Sequence, residues 1–319
     1  MHGGLALKAG VLFVGRCSES ARVAPFDLDG RRLGPGFTID GRGTRAGISG
    51  LAVDDDRRLW IADSASACLR VFTAFGRELG VVGSGDALDV GGIEVTAQLG
   101  RPVDVVVRGT DVDQELIVVS GGSQRHALRV LPLDKHAGRA RPAASLRPLG
   151  DPRGSFLELT AVDWRADEVW ILEAGAVGGS GREGAAGGGS AGRIQVFRHG
   201  DYHYSLALGG PQECGRAAAE GPGAGRPEGL ALLADGRALV AFGGEDRSGL
   251  VLLDAGGRRL SVVARAGKED GCVWEPTRLA VEEGVPRGST RVAVMDCDGD
   301  RVQVFSLAGR CYGAFQELP

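Results

Sequence analysis

Asp104, Glu158, Glu228 and Arg278 stand at, or one residue before, the same place in a short apolar segment that returns along the chain. Read at that place the chain has Gly4, Gly50, Asp104, Leu159, Gly229 and Arg278; one residue earlier it has Gly3, Ser49, Val103, Glu158, Glu228 and Thr277. Carboxylates gathered at one rim are hard oxygen donors of the kind that hold Ca2+ or Mg2+. A guanidinium there offers a planar fork to a carboxylate on a ligand or partner. With Trp274, these four residues form the candidate ligand- or partner-binding set, and Asp104, Glu158 and Glu228 are the metal candidates. The plainer expectation is that the charges keep a water-filled opening hydrated, with Asp104 and Arg278 as a charge complement and no cofactor bound.

Other groupings carry less chemistry. DCDGD at 296–300 opens like a calcium loop, but the twelfth position from Asp296 is Leu307, where a bidentate Glu is required. Ser64 and Ser66 follow Asp63 with no histidine placed to activate them, so a Ser-His-Asp arrangement is not expected. The glycine clusters at 83–85 and 187–189 precede no helix signal and lack the Lys-Ser/Thr ending of a phosphate loop. The histidines, His2, His126, His136, His199 and His203, are spread over the terminus and outer segments. Their spacing does not gather them into a zinc site.

The elements that must position these residues repeat six times. A first apolar strand reads GLAL at 4–7, GLAVD at 50–54, DVVV at 104–107, TAVD at 160–163, GLAL at 229–232 and RLAV at 278–281. A second reads VLFVG at 11–15, LWIAD at 59–63, LIVVS at 116–120, VWILE at 169–173, ALVAF at 238–242 and VAVMD at 292–296. A third reads RVAPF at 22–26, CLRVF at 68–72, ALRVL at 127–131, RIQVF at 193–197, GLVLL at 249–253 and RVQVF at 301–305. Glycine-bearing turns follow, as in DLDGRRLG at 27–34, TAFGRELG at 73–80, DAGGRRL at 254–260 and SLAGRC at 306–311, and lead to a fourth, outer strand. A unit of four short strands cannot bury both faces alone, so six copies must stack. Radial stacking gives an all-β chain, a six-bladed β-propeller of four-stranded antiparallel blades. The blades fall at about 1–40, 41–83, 84–150, 151–209, 210–266 and 267–319, within one domain.

The order P-x-G-L-A-V-D, L-W-I-A-D-S, R-I-Q-V-F and a D-G or A-G turn resembles the NHL repeat over essentially the whole chain. The stretch 83–107 is similar to the glycine-rich linker that precedes proline in such propellers. The resemblance implies a rigid disc used for binding. It also brings in the propeller enzymes: lactonases of the gluconolactonase and regucalcin type and streptogramin lyases, which hold a divalent metal near this rim, and peptidyl-hydroxyglycine lyases, which hold zinc with histidines. This chain departs from them, having no Asn and no His on an inner strand.

Composition narrows the classes further. Hydrophobic residues make up 43%, aromatics only 5%, and glycine contributes 54 of 319 residues, which suits many turns rather than long helices. A net charge of −4 gives no global attraction to nucleic acid or anionic lipid. Lys8 and Gly10 interrupt the apolar N-terminal stretch, which reads as two strands rather than a leader, and no run reaches a membrane span. Cysteines 17, 68, 214, 272, 297 and 311 lack CxxC spacing and read as reduced, with a Cys17–Cys297 bridge the one pairing to consider. The expected setting is cytoplasmic, with no membrane association.

Propeller geometry puts the second-to-third-strand loops and the connections between blades on one face. The long insertions 83–101, 174–192, 209–226 and 266–276 lie on it. Exposed loops on a rigid scaffold are where binding resides, although a Gly/Ala/Ser-rich stretch such as 174–192 also reads as a solvated insertion, and shortening 176–190 to a few residues is expected to change stability by under about 1 kcal/mol. The leading expectation is a non-enzymatic interaction module for a protein, peptide or small ligand. The alternatives are a metal-dependent lactonase- or lyase-like enzyme and, third, a binder of single-stranded RNA.

Overall fold

The computed structural model describes residues 3–17, 20–39, 46–83, 88–89, 94–95, 99–109, 113–121, 127–133, 144–146, 156, 158–177, 190–199, 201–208, 225–282, 289–296 and 300–316. The chain is all-β, with six four-stranded antiparallel blades of a β-propeller and, among the described residues, no helix beyond one 3-10 turn at Glu245–Arg247. The innermost strands are Gly3–Lys8, Ile48–Val53, Arg101–Arg108, Glu158–Arg165, Arg226–Leu232 and Pro276–Glu282. Each contains the segment expected from the repeat, except that Ile48–Val53 stops one residue short of Asp54, and within each blade the strands pair in sequence order. A fifth strand, Cys272–Val273, adds in parallel to the outer strand of blade five, Arg259–Ala266, so part of the 266–276 insertion is sheet rather than loop.

Two compact units divide the chain, residues 1–162 with 318–319, and residues 163–317. In the first unit, blade two shows why its strands read as continuous apolar runs. Ile48, Leu51, Leu59 and Ile61 pack with Phe13 and Val23 of blade one, whereas Trp60, Leu69 and Val71 pack with Val105, Leu116 and Val118 of blade three. Alternate residues thus serve two neighbours, and Arg58–Asp63 is buried at every position. In the second unit the same arrangement joins Leu239, Ala241 and Leu250 of blade five to Val292, Val294 and Phe305 of blade six.

The turn after the third strand has a local cause. Asp27, Thr73, Asp254 and Ser306 each accept, through the side chain, the N–H four residues on, at Arg31, Arg77, Arg258 and Arg310. The residue between must pass through positive φ, and Gly30, Gly76, Gly257 and Gly309 do so at 84°, 85°, 79° and 86°.

The innermost strands are shaped by a second repeated feature. In blades two, three, five and six the pairing of first to second strand slips by one residue, between Ile48 and Gly50, Pro102 and Asp104, Pro227 and Gly229, and Pro276 and Arg278. The bulged residues are Ser49, Val103, Glu228 and Thr277, the positions one before the recurring glycine. A bulge bends the strand and re-aims its side chain. In blade two glycine follows it because the next blade comes close: a Cβ on Gly50 would collide with Asp104 Oδ1 and lie 2.9 Å from Asp104 Cα.

Candidate functional site

In the first unit, the geometry gives Asp104 a bracing task. It is 8% exposed, and its Oδ1 accepts the N–H of Val105 at 3.0 Å while Oδ2 accepts that of Val162, on the innermost strand of blade four, at 3.1 Å. The carboxylate thus ties two innermost strands together. Glu158 opens that next strand and is exposed. Ser49, on its bulge, makes a comparable tie by donating to Pro102 O at 2.8 Å and Ala62 O at 3.2 Å.

The second unit brings together Glu228, Arg278 and Trp274. Glu228 is partly buried and its Oε1 pairs with Arg226 Nε at 2.9 Å. Arg278 donates through one terminal nitrogen to the carbonyls of Glu228 at 3.1 Å and Thr277 at 2.9 Å, so part of its fork grips bulged backbone rather than a carboxylate. Trp274 receives the Lys268 ammonium over its ring, 4.7 Å from the centroid. The adjacent Glu275 reaches back to blade five, where a Cβ on Gly243 would lie 2.8 Å from its Oε2 and 3.4 Å from Glu228 Cγ. Arg226, Glu228, Gly243, Trp274, Glu275 and Arg278 therefore share one region of blades five and six.

What holds this region rigid is Asp296. It is fully buried, and its oxygens accept the N–H groups of Trp274, at 3.2 Å, and Glu275, at 2.8 Å, with the Arg301 guanidinium as counter-ion at 3.2 Å. Arg301 and Gln303 also donate to Cys272 O. Burial, followed by the nearby Glu269 carboxylate, pushes the Cys272 thiol above its ordinary ionisation range. Ser248 Oγ donates to the carbonyl of Trp274. The residue missed in the sequence was thus the acid that ends the second strand. Its signal was the recurring LWIAD, VWILE and VAVMD: Asp63 accepts Gly47, Ala65 and Ser66 N–H groups, and buried Glu173 pairs with Arg193 at 3.2 Å.

Asp163 was also missed. Its Oδ1 accepts Trp164 N–H at 2.8 Å and its Oδ2 that of Leu232, on the innermost strand of blade five, at 2.7 Å. Within its own unit it does what Asp104 does in the other.

Among the described residues no group of three or more His, Cys, Asp or Glu is placed to hold an ion, and Asp104 has both oxygens turned to backbone amides. His199 lies against Asp167 at 3.3 Å and His203 stacks near Tyr204 on the outer strand of blade four. His2, His126 and His136, Cys214 and Cys297, and residues 178–189 and 209–224 of the insertions lie outside the described residues, as do positions 297–299 of the DCDGD run. Ser64 is in the turn, where its hydroxyl donates to Gly47 O at 3.0 Å.

No protein-family model matches the chain, and no curated protein matches it. Among solved structures it is similar to a protein of unknown function from Bacteroides caccae, at 12% identity over 95% of this chain and 92% of that one, with a TM-score of 0.56. A nidogen/laminin complex matches at 13% identity over 96% and 92%, TM-score 0.58. A streptogramin B lyase matches at 10% identity over 99% and 83%, TM-score 0.57. At these identities the likeness is one of fold.

Proposed function

We propose that the protein is a non-enzymatic interaction module of the NHL-propeller type that binds a protein or peptide partner through its loop-bearing face. The observation that supports this most is the clamped Trp274–Glu275 segment. A large aromatic beside charged groups, on backbone locked by a buried carboxylate, is a preorganised contact that loses little freedom on binding. The rim carboxylates point the same way: Asp104 is spent on backbone amides and Glu228 is paired with Arg226, as suits bracing and partner contact rather than a reacting centre.

The experiment is co-purification of the tagged full chain from its native host, repeated with Trp274→Ala and with Glu275→Gln. A partner retained by the parent protein and lost by both variants, at unchanged melting temperature, supports the reading. Equal retention by all three removes Trp274 and Glu275 from the interface. The lyase-like alternative draws only on fold neighbours such as the streptogramin B lyase. Stoichiometric divalent metal in the purified protein would favour it.

A further inference from the structure

We infer that Ser261, on the outer strand of blade five, is a phosphorylation site for a protein kinase that reads arginines, independent of the function proposed above. The turn after the third strand of this blade runs into Gly257, Arg258, Arg259, Leu260 and Ser261. Arg258, Arg259 and Leu260 are exposed and Ser261 and Val262 half-buried, while full burial resumes only at Val263, 4% exposed. Neither guanidinium makes a hydrogen bond or ion pair among the described residues. Kinases select substrates by charge pattern, and carboxylates in a kinase cleft accept a guanidinium fork through two parallel bonds. Two unengaged forks, two and three residues before a hydroxyl, complement a cleft of that kind. Blade one supplies an internal comparison. It has the same Gly-Arg-Arg-Leu run at 30–33, but Gly34 stands where blade five has Ser261, and Arg32 already donates to the carbonyls of Gly34, at 2.9 Å, and Pro35, at 2.5 Å. Hydroxyl and unengaged forks coincide in blade five.

The backbone suits the same use. A kinase holds its substrate segment extended, and Arg259–Ala266 is a strand whose pairing with Gly249–Leu253 slips twice, between Leu250 and Val251 and between Leu252 and Leu253. The slips leave Leu260 and Val263 out of the ladder on either side of Ser261, and bulged residues disrupt a ladder locally. On the outer edge Cys272–Val273 pairs only with Arg265 and Ala266, so the edge from Arg259 to Ala264 meets no other described strand. A bulged edge with few ladder bonds belongs to the part of a fold that opens most readily. In the reaction Ser261 Oγ attacks the γ-phosphorus of ATP. A new O–P bond forms, the bond from that phosphorus to the bridging oxygen breaks, ADP leaves, and the hydroxyl proton passes to the kinase's base. The phosphate brings a charge of about −1.5 to −2 at pH 7, close in sequence to two arginines that then gain a partner. The modified strand is also the one that Cys272–Val273 joins just before Trp274, so the phosphate enters the support of that segment.

The test incubates the folded full chain with magnesium, ATP and the catalytic subunit of cyclic-AMP-dependent protein kinase, a kinase that selects two arginines ahead of a serine. A synthetic peptide of residues 254–265 is the control for the motif outside the fold. Tandem mass spectrometry of the chain should place phosphate on Ser261, approaching one per chain, and Ser261→Ala should abolish that phosphopeptide. Arg258→Gln and Arg259→Gln should each slow the initial rate at least tenfold at unchanged melting temperature. Should Ser261→Ala fail to fold, the fragment spectra of the parent chain and the two exposed arginine variants carry the comparison. The inference is overturned if Ser261 stays unmodified in the chain, whether or not the peptide reacts, or if the arginine variants react at the parental rate.

Discussion

Replacing Asp104 with alanine separates a bracing carboxylate from a ligand-binding one. The side chain is 8% exposed and accepts two amides, of which the Val162 N–H belongs to the next blade, on a residue only 2% exposed. A hydrogen bond to a charged group contributes about 1.5–3 kcal/mol, and a buried donor left without an acceptor costs about 1–3 kcal/mol. The Val105 contact is local and its N–H is better placed to find another acceptor, so most of the loss falls on Val162. Together Asp104→Ala should destabilise the chain by about 2–4 kcal/mol. With an unfolding entropy near 2.1 cal/mol/K per residue, 319 residues convert this into a melting decrease of about 3–6 °C. Urea denaturation followed by far-UV circular dichroism gives the free energy. Amide hydrogen exchange at Val162, whose N–H the carboxylate accepts, should accelerate more than at Trp60. Asp104→Asn keeps one acceptor and should recover about half the loss. A change below about 0.5 kcal/mol, or a gain in stability, would refute the reasoning, since residues held for a ligand often cost the fold stability rather than supply it.

Gly50→Ala should cost at least about 1–3 kcal/mol, because the new Cβ would collide with Asp104 Oδ1 and lie 2.9 Å from Asp104 Cα; equilibrium denaturation at or above parental stability counts against the close approach of the two strands. Asp296→Ala removes the buried partner of Arg301, itself 3% exposed, and leaves it the exposed Asp270 at 3.2 Å, so it should destabilise by about 3–5 kcal/mol. It should also shift the fluorescence of Trp274 at denaturant concentrations where the fold persists, whereas an unchanged spectrum would show that Asp296 does not fix that segment. For Cys272 the raised ionisation means that folding favours the neutral thiol. That stabilisation is present below the ordinary thiol range and is lost as pH rises through the higher folded value. Alkylation of Cys272 by iodoacetamide, read by peptide mass spectrometry, should therefore reach its plateau at higher pH than in the unfolded chain, and Glu269→Gln should move the profile down; coincident profiles would contradict the assignment.

The repeat was legible because its causes are local. Apolar runs such as LWIAD and GLVLL make strands buried on both faces. Asp, Thr or Ser three residues before a glycine makes a turn through its own side chain, whatever lies elsewhere in the chain. Six blades, their innermost strands and their order follow from that alone. The register that singled out Asp104, Glu228 and Arg278 was legible too, as the place where the innermost strands of blades three, five and six bulge. Their tasks were not. Asp104 finds its amide 58 residues away and Asp163 finds its own 69 residues away; Asp296, which reads as part of a turn, is the buried clamp beneath Trp274 and Glu275. Strand and turn preferences act over a few neighbouring residues, so composition and spacing carry them. Which amide a carboxylate meets depends on how segments distant in sequence pack side by side, and only the tertiary structure decides that.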